Sequence, residues 1–174
     1  GDFTIASGGV FIGTAGGSVT TEKITFNGAS SAGESCPAID DANLSIEVDK
    51  SDASGSLTIS GNSNFDAVTV LDGTMDIAAT TFTADDAISV QSNGTLQVGS
   101  GTYNADGQLT TSGEIDFTGS GSQGDLICSS TSANTFGTMD AAVGTVTFDG
   151  SSSQAIPTET FFNLKNSNTN GLTM

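Results

Sequence analysis

Apolar residues along the chain fall in short alternating runs, separated by clusters of glycine, asparagine, aspartate and serine. In Leu57-Thr58-Ile59, for example, the two apolar side chains lie on one side of an extended strand and the threonine lies on the other. Runs of period two that are bounded by turn-forming residues are typical of short β-strands. No stretch of useful length has the period of an amphipathic helix. The pattern therefore predicts an all-β protein.

The runs recur about every 20 residues and form three strand families. The first contains Leu57-x-Ile59, Met75-x-Ile77, Leu96-x-Val98 and Ile115-x-Phe117; the second contains Val68-x-Val70, Ile88-x-Val90 and Leu109-x-Thr111; the third contains Phe82 and Tyr103. Such spacing suits one coil of a β-solenoid, in which stacked coils bury a core that no single coil could bury. We therefore expect one domain over residues 1–174, a right-handed parallel β-helix of about nine coils of roughly 20 residues, without a globular subdomain.

Glycines separate the strand families at the places where a coil must turn a corner. They are Gly55, Gly73, Gly94, Gly107 and Gly113. A corner requires either a positive φ or a close approach of two backbones, and glycine permits both. The spacing therefore predicts that these residues lie at the corners of the coil.

A longer repeat of about 120 residues is superimposed on the coil period. Residues 24–31 (ITFNGASS) recur as residues 146–153 (VTFDGSSS), 122 positions later. Two further matches follow in the same order, so that residues 24–59 resemble residues 146–174. The chain therefore contains about 1.4 copies of the longer unit.

Residues 146–156 (VTFDGSSSQAI), then 161–164 (FFNL) and 171–174 (GLTM), carry a resemblance to a known class of protein. They resemble a phrase that recurs in the repeat regions of large bacterial β-helical, adhesin-like surface proteins. The resemblance implies export, tandem repetition and a role at the cell surface. It assigns no function to individual residues, because the shared positions are core and turn positions.

Composition and charge exclude several classes of partner. Twenty acidic residues oppose three lysines, with no arginine and no histidine, and the net charge is −17. Nucleic-acid binding depends on basic side chains at the phosphates, and an anionic membrane surface would repel this chain. No apolar run is long enough to insert into a membrane. We therefore expect neither nucleic-acid binding nor membrane insertion. The expected extracellular, cell-surface location is what the resemblance to adhesin-like surface proteins implies.

Paired acids are the candidates for catalysis. Carbohydrate-cleaving β-helix enzymes use acidic pairs, usually together with Arg or His, which are missing here. Neighbouring residues of a strand point to opposite faces, so an Asp-Asp dipeptide is not itself a catalytic pair. We therefore expect no catalytic residues and no enzyme, with a polysaccharide-active β-helix enzyme as a remote alternative.

Calcium is the one cofactor that the sequence suggests. Aspartates at successive corners would stack along the solenoid, and a hard cation with oxygen ligands relieves such repulsion. Asp85 and Asp86 are the first candidates for calcium ligands, and Asp40 and Asp41 are the second.

The two cysteines are far apart in the predicted solenoid. Cys36 and Cys128 are separated by 92 residues, which corresponds to roughly 22 Å along the axis at ~4.8 Å per coil. A disulfide requires Cα atoms within ~7 Å, so an intrachain bond is not expected. Two alternatives stay open: two isolated thiols, or a crosslink between chains.

The terminal segments suggest how the chain functions. No amphipathic cap helix is evident before Phe3 or after Met174, and an uncapped coil presents unpaired backbone and apolar side chains. We therefore expect a structural subunit of a surface fibre that stacks end to end on copies of itself. The predicted contacts are Phe3, Ile5, Leu172 and Met174.

The alternative function is an adhesin repeat segment of a large cell-surface protein, flanked by neighbouring repeats of a longer chain. Such a segment would bind a glycan or another surface partner through residues 31–41 or residues 62–66. The two functions differ in one respect, since a fibre subunit polymerises whereas an adhesin segment is a rod that binds a ligand.

Overall fold

The computed structural model describes residues 22–28, 33–51, 54–118, 123–140 and 143–174, and these residues form strands and turns without any helix. The strands are β1 (Glu22–Asn27), β2 (Glu34–Cys36), β3 (Asp40–Asp41), β4 (Leu44–Asp49), β5 (Ser56–Ile59), β6 (Ser63–Phe65), β7 (Val68–Asp76), β8 (Thr81–Ala84), β9 (Ile88–Gln97), β10 (Thr102–Ala105), β11 (Leu109–Thr111), β12 (Glu114–Asp116), β13 (Asp125–Cys128), β14 (Thr138–Asp140), β15 (Thr145–Phe148), β16 (Gln154–Ala155), β17 (Asn163–Asn166) and β18 (Leu172–Thr173).

Parallel pairing stacks these strands into a β-solenoid with three faces. A nine-stranded sheet provides two of them, because β7 and β9 each run through a corner without a break. The first face contains β1, β4, the first halves of β7 and β9, and β11; the second contains β2, β5, the second halves of β7 and β9, β12 and β14. The third face is a seven-stranded sheet in the order β3-β6-β8-β10-β13-β15-β17, and β16 pairs with β18 separately.

The third face contributes one strand to each coil, so the described residues form about seven coils. The predicted all-β solenoid is confirmed, and the coil count differs slightly, since about nine coils were predicted for the whole chain. The prediction divided the whole chain by 20, although residues 1–21 lie outside the described part. The coils are also longer than 20 residues in places, since Glu22 pairs with Leu44 and Thr110 pairs with Thr135, which are 22 and 25 residues apart.

The strand register confirms the three strand families. Residues in register on neighbouring coils are Leu57, Met75, Leu96 and Ile115 in the second face, Val68, Ile88 and Leu109 in the first face, and Phe82 and Tyr103 in the third face. All of these side chains are buried. The alternation therefore sets which side chains face the interior, as the sequence indicated.

Aromatic side chains stack inside the third face. The ring centroids of Phe65 and Phe82 lie 5.5 Å apart, and those of Phe82 and Tyr103 lie 5.0 Å apart. Burying such a side chain contributes about 2–3 kcal/mol, and each ring pair adds roughly 1 kcal/mol. The middle coils are therefore stabilised by a continuous apolar column.

The corners need glycine because the backbones of neighbouring coils come very close there. A Cβ atom at Gly113 would lie 2.1 Å from the carbonyl oxygen of Gln91, and one at Gly107 would lie 2.0 Å from that of Asp86. Gly73 has a φ of +83° in the bend of β7. The glycines predicted for corners all lie at corners: Gly55, Gly73, Gly94, Gly107 and Gly113.

The segments that the long repeat matches lie in different faces. β1 and β4 pair in the first face, whereas their counterparts β15 and β17 pair in the third face. The two strands of each matched segment are therefore adjacent in their sheet, but the two pairs lie on different faces of the solenoid. The longer unit, and the single domain over residues 1–174, stay predictions.

Candidate functional site

The open edge of the third face carries exposed apolar side chains. β17 pairs with β15 on one side, and no strand of the described part pairs with its other side. All four residues of β17 are exposed. An edge strand of this kind presents a row of unpaired N–H and C=O groups that can pair with another chain.

Leu164 and Phe162 form the apolar part of this edge. Leu164 is in register with Val146, which is only 2% exposed, yet Leu164 itself is 45% exposed. Phe162 is 56% exposed. Neither residue is predicted to be exposed from the sequence, because a periodic pattern does not indicate which coil is left uncovered. The only sequence signal for them is the FFNL phrase at residues 161–164.

Two of the four predicted end-to-end contacts lie in the described part. Leu172 in β18 is partly buried and packs against the core, while Met174 is fully exposed. Phe3 and Ile5 lie outside the described residues. The assembly role of all four stays a prediction.

A polar network links the last three coils next to the open edge. The buried Gln154 accepts a hydrogen bond from the N–H of Gly150 at 2.7 Å and donates to the carbonyl oxygens of Cys128 and Ser130 at 2.8 and 2.9 Å. Asn168 donates to Gln154 Oε1 at 2.9 Å. Buried amides are stable only when they are hydrogen-bonded in this way.

The predicted calcium ligands are spread over separate coils. Asp85 and Asp86 are exposed after β8, and Asp40 is exposed on β3. Asp41 is buried, and its Oδ1 accepts the N–H of Asn43 at 3.0 Å, which is the hydrogen bond of an Asx turn. Among the described residues, no group of three or more His, Cys, Asp or Glu side chains could hold a metal ion. Calcium binding therefore stays a prediction without a defined ligand set.

Aspartates do stack at the corner between the third and first faces. This column contains Asp66, Asp85, Asp106, Ser129 and Asp149. Three of its carboxylates accept hydrogen bonds, from Ser45 to Asp66 at 3.3 Å, from Asn64 to Asp85 at 3.4 Å, and from Ser129 to Asp149 at 2.9 Å. Each of these three carboxylates thus has a neutral hydrogen-bond donor beside it.

Both cysteines are free thiols in the interior. Cys36 lies in β2 and Cys128 lies in β13, on different faces and different coils. Burial raises the pKa of each thiol to about 12, and for Cys128 the nearby Asp149 adds to the shift. A thiol of this kind is a poor nucleophile. The crosslink between chains stays a prediction, and it would require a thiol to leave the core.

Two of the three lysines are already paired. The fully buried Lys50 donates a hydrogen bond to Glu34, and this bond lowers the pKa of the Glu34 carboxyl against the opposing effect of burial. Lys23 pairs with Glu47 at 2.8 Å on the surface. Only Lys165 among the three has no ion pair in the described part, so the solenoid offers little positive charge to an anionic ligand.

A shallow groove lies on the outer side of the third face. Its volume is about 320 Å³, and its lining residues are Asp40, Asn62, Ser63, Asn64, Thr81 and Thr83. These residues belong to β8 and to the two segments that were predicted as binding loops, residues 31–41 and 62–66. A carboxylate, two amides and hydroxyls on one rigid sheet can accept and donate several hydrogen bonds at once.

No protein-family model, no curated protein and no solved structure matches the chain. The part of the chain that the structure describes contains no helix that is long and apolar enough to cross a membrane. Of the features that the resemblance implies, the structure shows the β-solenoid arrangement.

Proposed function

We propose that the chain is a structural subunit of an extracellular surface fibre, which grows when coils of successive copies stack end to end. The open edge of the third face carries this proposal. A coil supplied by a second copy would pair with the free N–H and C=O groups of β17 and cover Leu164 and Phe162.

The energetics favour end contacts over side contacts. Covering Leu164 and Phe162 contributes roughly 1 kcal/mol each, because each is already about half buried. A net charge of −17 makes rods that lie side by side repel one another along their length. An end contact between unlike surfaces does not close on itself, so it generates a filament.

The extracellular location rests on the resemblance to adhesin-like surface proteins and on the acidic composition, which keeps a rod rich in glycine and serine soluble. Calcium has no assigned role in this proposal, because the described residues contain no defined set of ligands for it. Its concentration is varied in the assembly experiment.

The test compares the wild-type chain with Leu164→Asp and with a matched control, Ile127→Asp. Ile127 faces outward on the same sheet, but its strand β13 is paired on both sides. Electron microscopy and sedimentation velocity, with calcium and with a chelator, should show filaments of wild type and of Ile127→Asp. Leu164→Asp should lower the assembled fraction at least tenfold, since a charge would then be buried in the contact.

Wild-type rods that stay single at every concentration would contradict fibre assembly. Filaments of Leu164→Asp as abundant as those of wild type would contradict the assigned edge. Single rods would favour the alternative function, an adhesin segment. The observation that supports this second candidate is the groove on the third face, which contains residues from both predicted binding loops.

A further inference from the structure

The outer side of the third face has an uncharged patch on an otherwise strongly acidic protein. Across three neighbouring coils, the outward residues form two columns in register: Asn62, Thr81 and Thr102 in one, and Asn64, Thr83 and Asn104 in the other. Residues 62–64, 81–83 and 102–104 contain no charged residue, although the chain has 20 acidic ones. A neutral, hydrogen-bonding surface is therefore held flat on a rigid parallel sheet.

The groove at one end of this patch has unsatisfied hydrogen-bonding capacity. Asn64 Nδ2 faces Asp85 Oδ2 at 3.4 Å, and because a carboxylate only accepts, this contact fixes the orientation of the amide. Asn64 Oδ1 is buried and finds no donor among the described residues. Thr83 Oγ1 accepts from Asn104 at 3.2 Å, which leaves the Thr83 hydroxyl proton free to donate elsewhere.

We propose that the groove and the two columns bind an uncharged glycan through its hydroxyl groups. The Asp40 carboxylate and Asn64 Oδ1 would accept from glycan hydroxyls, while the hydroxyls of Thr81 and Thr83 donate and accept. A glycan hydroxyl that donates to Asn64 Oδ1 contributes more to the binding free energy than an ordinary hydrogen bond, since a buried acceptor without a donor is costly in the free protein.

The geometry favours a linear glycan over a single sugar. Equivalent groups recur every ~4.8 Å along the solenoid, so a chain lying along the axis meets similar hydrogen-bonding groups on successive coils. A groove of about 320 Å³ is at the small end of ligand sites, and repeated contacts along a polymer compensate for weak single ones. An anionic polysaccharide is disfavoured by the net charge and by the pairing of Lys23 and Lys50.

Affinity electrophoresis tests this inference, which rests on the adhesin alternative and is independent of end-to-end stacking. The wild-type chain is run in gels that contain laminarin, galactomannan or hydroxyethyl cellulose, with polygalacturonate as the anionic comparison. At least one neutral polysaccharide should retard the chain, and polygalacturonate should not. Asn64→Ala and Thr83→Ala should each weaken the retardation about tenfold, as expected for one lost hydrogen bond in a site.

Gln91→Ala is the matched control, because Gln91 is an exposed amide of the first face that is hydrogen-bonded to Ser89. It should be retarded like wild type, and all variants should keep the wild-type thermal unfolding curve within a few degrees. The assembly variant Leu164→Asp should also keep full retardation, so that failed stacking and failed glycan binding are told apart.

Three results would overturn the proposal. The first is the absence of retardation in all three neutral polysaccharides. The second is equal retardation of Asn64→Ala and Gln91→Ala. The third is a chain that no polysaccharide retards but that inhibits ice recrystallisation, with the inhibition lost in Thr81→Val. This result would assign the two columns to binding of an ice surface instead.

Discussion

The middle coils and the last coil have the same solenoid geometry but are stabilised in different ways. In the middle, Phe82 and Tyr103 are completely buried between coils above and below. Towards the last coil, Gln154 and Asn168 form a buried hydrogen-bonded network, and Leu164 is exposed. Hydrogen bonds between amides therefore stabilise this end of the solenoid, whereas stacked aromatic rings stabilise the middle coils.

A gradient in local stability follows from this difference. Stability in a solenoid is close to a sum of coil terms and nearest-neighbour interfaces. The last described coil has one interface fewer within the described part, so it should open at lower free energy than the middle coils. Substitutions in the two regions can measure this difference.

Shortening a buried aromatic should have the largest effect. Phe82→Ala should lower the free energy of unfolding by about 3–5 kcal/mol, because it opens a cavity within the aromatic column. Phe162→Ala, the control in the last coil, should cost less than about 0.5 kcal/mol, because that side chain is mostly exposed. Urea denaturation measures both, and similar losses for the two variants would contradict the difference between the coils.

Thiol reactivity should differ by about a thousandfold between the two buried native cysteines and a thiol placed at the exposed edge of the last coil. The pKa of Cys36 and of Cys128 is raised from 9.0 to about 12, which lowers the thiolate fraction about a thousandfold at pH 8. An introduced thiol, Leu164→Cys, should react with a maleimide at the rate of a free thiol. Mass spectrometry follows the labelling, and fast labelling of either native cysteine would show that its coil opens readily.

Removing the amide of the polar network should have a moderate, local effect. Gln154→Ala leaves the N–H of Gly150 and the carbonyl oxygens of Cys128 and Ser130 without this partner, at a cost of about 2–3 kcal/mol. Hydrogen exchange should accelerate around β15 to β18 and stay unchanged around β8.

Gln97→Ala is the matched control for this change, since Gln97 donates one hydrogen bond to Asp116 in the second face, only partly buried. It should cost less than about 1 kcal/mol. A uniform acceleration of exchange along the whole chain in Gln154→Ala would mean that the coils unfold as one unit.

The smallest expected effect is a gain in stability. The Tyr103 hydroxyl is buried and has no hydrogen-bond partner among the described residues. Tyr103→Phe keeps the stacked ring and removes the unsatisfied group, so the free energy of unfolding should rise by about 1 kcal/mol. A loss of similar size in urea denaturation would indicate that the hydroxyl is hydrogen-bonded in solution.

The candidate sites could be predicted only in part. Asn62 and Asn64 lie in residues 62–66, which were predicted as a binding loop. Nothing in the sequence, however, predicts that they lie beside Asp40 and Thr83. The acid pairs show the reverse case, since Asp40 and Asp41 are adjacent in sequence but point to opposite sides of β3. Sequence proximity therefore did not define a site, whereas register between coils did.

The all-β class, the strand families and the glycine positions follow from the sequence alone. Alternation sets which side chains point inward along a strand, and the glycines mark the breaks between the alternating runs. The reason that a corner requires glycine lies in the folded structure, since a Cβ atom at Gly113 would meet the carbonyl oxygen of Gln91 on the neighbouring coil.

The tertiary structure decided which coils are neighbours and which surface stays open. Coil lengths vary from 18 residues, between Thr145 and Asn163, to 25 residues, between Thr110 and Thr135. A fixed period therefore cannot give the register between distant segments. The Gln154 network, the groove on the third face and the exposed Leu164 all depend on that register, because each is made by residues at least one coil apart.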